Sequence, residues 1–163
     1  MNDKEKNDCE AARKAGCIFY EMPWKIDPKQ IDPLILPVVT RINESGFVWT
    51  GESCQGHPDS KECGAWASNT RPMLRLITWD ENVGRLCSDL ISAYQLLHDE
   101  TMRSLMTDSP KTWEVGAIEI YPQPLHGGWT ELLIYLWTAT AYQRDQGIEV
   151  LKKFSELICR PEY

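Results

Sequence analysis

Apolar positions recur at helical spacing in three stretches of the chain and alternate with polar ones in four others. Ile31, Leu34, Ile35, Val38 and Ile42 follow the spacing of one helix face. The tripeptide Ile-Asp-Pro, at 26–28 and again at 31–33, reads as the start of that helix. An aspartate there can accept first-turn amides, and proline is tolerated just behind it. Pro37 falls inside the pattern and predicts a kink, and Gly46 ends it. The clearest periodic stripe is Val83, Leu86, Cys87, Leu90, Ile91, Tyr94 and Leu97, a long second helix with Asp80 as its cap. A polar connection over 99–111 follows, with His98 closing the helix, where an imidazole can meet the last carbonyls. A third helix is predicted over 141–159, with Ile148, Leu151, Phe154 and Ile158 on one side. Strands are predicted over 47–53, 71–79, 113–121 and 129–137, the last two joined by a turn containing Pro122, Pro124, Gly127 and Gly128.

The resulting order is α-β-β-α-β-β-α. Paired strands between helices imply an α+β fold: a four-stranded, mostly antiparallel sheet with three helices packed on one face. Residues 1–25 read as a loosely attached N-terminal arm, anchored near its end by Ile18, Phe19, Tyr20 and Trp24, and 26–163 as a single domain.

Alternation also sorts the strand residues by face. Leu132, Ile134 and Leu136 share an aliphatic side with Leu74, Leu76, Ile118 and Ile120, which should lie under the helices. The opposite side collects Arg71, Met73, Arg75, Ile77 and Trp79 from one strand, and Trp129, Glu131, Leu133, Tyr135 and Trp137 from another. Trp113, Val115, Ala117, Glu119 and Tyr121 are assigned there as well. In the first strand Phe47 and Trp49 fall on one side, Glu52 and Cys54 on the other. Five of the seven tryptophans, 49, 79, 113, 129 and 137, can thus share a face with Arg71, Arg75, Glu119 and Glu131. Aromatic rings beside arginine suit stacking on a planar anionic ligand. The same composition suits a homodimer surface, or a second core closed by the N-terminal arm.

Composition narrows the choice of partners. With 17 basic against 24 acidic residues the net charge is -7, which disfavours broad binding to phosphate backbones. No apolar run approaches the roughly 20 residues of a membrane span, and the polar start of the chain does not resemble a secretory signal. The six cysteines then read as reduced thiols of a cytoplasmic protein, with Cys87 a small core residue.

The sharpest local string is Ser53-Cys54-Gln55-Gly56-His57-Pro58, leaving the end of the first strand. Gly56 permits a tight turn. Cys54 and His57 are close enough in sequence for an imidazolium to favour thiolate, although no third group is evident to orient His57. Cys54, His57 and Cys63, with His126 as a distant fourth, have ligand types that zinc accepts but lack a second close pair. The bland reading has Ser53 and His57 bonding their own loop while Cys54 is buried.

The helix at 26–43, the strand after it and the string Thr-Gly-Glu-Ser-Cys-Gln-Gly-His resemble the N-terminal block of the tRNA wybutosine-synthesis methyltransferase family. There a similar helix precedes a strand and a Ser-Ser-Cys-Ser-Gly-Arg string. The string is also similar to small bacterial and phage proteins bearing Ser-Cys-x-Gly-His. The family resemblance implies S-adenosylmethionine as cofactor and a tRNA guanosine derivative as substrate. Only Ser53, Cys54 and Gly56 carry over; His57 stands in place of the family's arginine and Glu52 in place of its first serine.

The leading expectation is a binding protein for a planar, nucleotide-like ligand, held between the 53–57 loop and the aromatic sheet face. Trp49, Trp113, Trp129 or Tyr135 would stack, Arg71 or Arg75 would meet an anionic group, and His57 would supply a hydrogen bond. Methyl transfer of the wybutosine kind and a module dimerising through the aromatic face are the alternatives. The residues do not decide whether the protein is an enzyme, and they name no cofactor of their own.

Overall fold

A computed structural model describes residues 28–56, 71–104 and 112–160. Among these, three helices and four strands follow the expected order: α1 Leu36–Glu44, β1 Val48–Cys54, β2 Met73–Trp79, α2 Val83–Ser104, β3 Ile118–Pro124, β4 Trp129–Leu136 and α3 Ala141–Ile158. The strands form one antiparallel sheet in the order β1-β2-β4-β3, an α+β architecture. The proposed N-terminal arm, 1–25, lies outside the described residues.

The core sits between the sheet and the helices, where the aliphatic alternation places it. β2 contributes Leu74 and Leu76; β4 contributes Leu132, Ile134 and Leu136. Against them pack Ile35, Val38, Val39 and Ile42, then Leu86, Leu90 and Ala93 of α2, and Ile148, Leu151, Phe154 and Ile158 of α3. Burying each large aliphatic or aromatic side chain contributes about 1.5–3 kcal/mol. No helix among the described residues is long and apolar enough to cross a membrane.

Several boundaries differ from those expected, each for a local reason. Pro37 does not kink α1: the helix begins at Leu36, so the proline lies in its first turn, where no amide is required. The Asp32 carbonyl accepts the amides of Ile35 and Leu36. Asp80 does not cap α2 directly; a 3-10 turn, Asp80–Asn82, precedes the helix. Its amide donates to the Gly128 carbonyl and its carboxylate accepts the Thr130 hydroxyl, which ties the end of β2 to the β3–β4 hairpin. The segment 99–104 is helical, so α2 outlasts its apolar stripe and His98 lies inside it. Residues 112–117 precede β3, which instead runs on through Pro122 and Pro124. A strand on the sheet edge tolerates prolines that a central strand would not.

β1 carries a bulge. Its register with β2 shifts between Thr50 and Glu52, so Gly51 is an extra residue. The shift reverses alternation beyond it. Trp49, Glu52 and Cys54 therefore share the outer face, opposite Ile77, Arg75 and Met73, and are not divided between faces as simple alternation predicts. Phe47 precedes the strand and packs on the helical core.

α3 starts with a full capping box. The Thr140 side chain accepts the Gln143 amide at 3.2 Å, while the Gln143 side chain accepts the amides of Thr140 and Ala139. Thr140→Ala removes one acceptor from the first turn and should destabilise the protein by about 1 kcal/mol, measured as a lower urea midpoint with an unchanged slope.

Candidate functional site

The strand pairings arrange the outer face, the side away from the helical core, in rows. At one end Trp79 lies beside Trp129, and Trp49 beside Ile77 and Glu131. The next row is Glu52, Arg75, Leu133 and Tyr121; the one after it is Cys54, Met73, Tyr135 and Glu119. Beyond β4, the Trp137 amide donates to the Ala117 carbonyl, and the Arg71 guanidinium lies 3.0 Å from the centre of the Trp137 ring.

These rows differ in what they can do. Trp49, Ile77 and Trp129 form a small second core with Trp79 and Leu125 packed on it. Trp49 and Trp129 are only 5% and 1% exposed, with ring centres 5.6 Å apart. Their faces are occupied by neighbouring side chains, so they are structural rather than open to a ligand. Trp113 is not on this face at all. It precedes β3 and packs on the helix side, where its indole donates to the Tyr94 hydroxyl at 3.2 Å and its ring meets His98 edge-on. The alternation expected for 113–117 fails because the strand starts only at Ile118.

An ionic belt crosses the middle of the face. Arg75 contacts Glu131 through Nε and Glu52 at 3.3 Å. The Glu131 side chain is 7% exposed, whereas that of Glu52 is 58% exposed. The pair with Glu131 is the one withdrawn from water, and the partner of a buried carboxylate matters more than a surface pair. Arg75 is therefore committed within the sheet.

The exposed end of the face is aromatic and cationic. Tyr121 is 51% exposed and Trp137 39%, and Tyr121 meets Tyr135 edge-on at 6.3 Å. A hydrogen bond to Glu119, two residues earlier on the same face, raises the Tyr121 phenol above its ordinary value; partial desolvation and the Glu119 charge act the same way, and Arg71 opposes them. Tyr121, Glu119 and Trp137 were absent from the binding set expected from sequence, although alternation along β3 and β4 placed all three on this face.

The Ser53–Gly56 string leaves β1 beside this end. By register Ser53 pairs with Leu74 in an inward row, while Cys54 stands in the outward one. The Cys54 sulfur accepts the Gly56 amide at 3.4 Å, and Gly56 has φ 82°, the left-handed turn that favours glycine. Gln55 fastens the string to the start of α1: its amide donates to the Asp32 carboxylate at 3.1 Å and its side-chain oxygen accepts the Leu34 amide at 3.0 Å. His57 and Cys63 lie outside the described residues. His126 lies in the β3–β4 hairpin, at the end of the sheet far from Cys54, about 20 Å away at strand spacing. It cannot complete a metal site there, and no group of three metal-binding side chains occurs among the described residues. Of the residues that carry the resemblance, Ser53 is turned into the layer beneath the helices, Cys54 stands on the outer face, and the Gly56 amide is taken by the Cys54 sulfur.

Two measurements check these assignments. Arg75→Gln leaves Glu131 without its cation and should lower stability by roughly 2 kcal/mol, with much of the loss restored by adding Glu131→Gln; an additive double variant would contradict the pairing. Glu119→Gln removes the carboxylate that holds the Tyr121 proton, so in absorbance titration this phenol should ionise at lower pH than in the parent. Comparison with known proteins finds no matching family model, no matching curated protein and no matching solved structure.

Proposed function

We propose that the protein binds a planar, nucleotide-like ligand at the exposed end of the outer sheet face, next to the Ser53–Gly56 string. The observation that carries the reading is the Arg71 guanidinium over Trp137, with Tyr121 and Tyr135 beside it. An indole already supporting a guanidinium offers a flat surface and a positive charge in one place. A base or similar ring would stack on Trp137 or Tyr121. Arg71 would move from the indole to a phosphate or carboxylate, which its fork can hold bidentately. Cys54 and Met73 border the same corner through their row with Tyr135.

Two other readings give different outcomes. Methyl transfer rests on the likeness of Ser53, Cys54 and Gly56 to the wybutosine-synthesis string, and heat on titration with S-adenosylmethionine would favour it. Dimerisation through the aromatic face would show as a concentration-dependent mass in sedimentation, weakened by Trp137→Ala.

The binding proposal is tested by tryptophan fluorescence against a panel of mononucleotides and cyclic nucleotides. At least one should quench emission saturably. Base-on-aromatic stacking is worth about 1–3 kcal/mol, so Trp137→Leu should weaken that ligand roughly tenfold or more. Arg71→Gln should do so only for anionic members of the panel. Trp113→Phe, on the other side of the sheet, should leave the affinity unchanged. Absence of quenching by every member at millimolar concentration counts against the proposal.

A further inference from the structure

At the opposite end of β1, on the helix side, three element ends meet around a cleft of about 490 Å³. α1 brings Arg41, Glu44 and Ser45; α2 brings Arg85 from its first turn; and the end of α3 brings Ile158, Cys159 and Arg160. Phe47, entering β1, forms one wall. The lining of this cleft holds three arginines and one glutamate, with Glu156 and Asp89 beside it paired to Arg41 and Arg85.

Two of the arginines, Arg85 and Arg41, are held in place by neighbouring groups. Arg85 lies 4.8 Å over the Phe47 ring, reaches the Ile158 carbonyl at 3.5 Å and pairs with Asp89 at 3.7 Å. Arg41 pairs with Glu156 at 3.5 Å, and its carbonyl accepts the Cys159 thiol at 3.2 Å. The Ser45 hydroxyl, also on the cleft, is buried and has no hydrogen-bond partner among the described residues. A buried hydroxyl without a partner is destabilising unless something supplies one.

We propose that this cleft is a second binding site, for a small phosphate ester. Three guanidinium groups arriving from three elements can surround a tetrahedral dianion, whereas a carboxylate is satisfied by a single arginine fork. The Ser45 hydroxyl would donate to one phosphate oxygen. The volume exceeds what the phosphate itself needs and lies within the range of small-molecule sites, leaving room for a ring or sugar-sized group along Phe47. The site is separate from the outer sheet face and does not depend on ligand binding there.

Cys159 gives the test its readout, because its thiol is exposed and lines the cleft. The full chain is alkylated with iodoacetamide at fixed ionic strength, and Cys159 modification is followed by peptide mass spectrometry. Phenyl phosphate should slow modification of Cys159 at least fivefold and saturably. Cys87, outside the cleft, should react at an unchanged rate. Benzoate at the same concentration should protect much less, and inorganic phosphate should protect at higher concentration. In Arg41→Gln/Arg160→Gln, compared with its own unliganded rate, protection should fall below twofold. Equal protection by benzoate and phenyl phosphate, undiminished protection in the double variant, or none in the parent would each overturn the proposal. Quenching of Trp137 reports the other site, so failure of one reading leaves the other standing.

Discussion

Everything in the sheet depends on the pairing of β2 with β4. These two central strands meet in unbroken antiparallel register from Met73 against Tyr135 to Trp79 against Trp129. Because side chains alternate, that register sends Leu74, Leu76, Leu132 and Ile134 inward together and turns Arg75, Ile77, Glu131 and Trp129 outward together. A slip of β4 by one position would push Glu131 into the aliphatic layer without Arg75 and turn Leu132, Ile134 and Leu136 out of it. The hydrophobic layer and the ionic belt therefore specify the same alignment from opposite sides.

The parts legible in the sequence were those governed by a single period. The α3 stripe, the α2 stripe apart from the exposed Ile91, and the faces of β2 and β4 follow directly from spacing. Three of the places that were not legible show the local exception plainly. At Gly51 an inserted residue shifts the count, which no periodicity rule detects in a strand of seven residues. At 113–117 the residues alternate like a strand but run ahead of the ladder, and Trp113 is drawn to Tyr94 and His98 instead. At Pro37 the pattern begins before the helix does, because Ile31 and Leu34 precede its first turn. The candidate site suffers from the same limit. Alternation collected the aromatic residues of β2 and β4 on one face but could not tell which rings lie buried against one another and which remain open.

Among the described residues two regions put arginine against an aromatic ring, and they do so in different settings. Arg71 on Trp137 is at the exposed margin of the sheet, with tyrosines beside it. Arg85 on Phe47 is in a cleft among helix ends, with two further arginines. The acidic character of the chain as a whole makes both local. A net charge of -7 disfavours a polyanion more than a small anion.

Both margins of the sheet, among the described residues, carry an interruption that opposes a further strand. β3, one margin, lacks amide hydrogens at Pro122 and Pro124, and β1, the other, is bent by its bulge at Gly51. Unpaired strand edges template fibrils and recruit passing peptides, and interruptions of this kind suppress both. Growth by adding strands side by side is discouraged at either border.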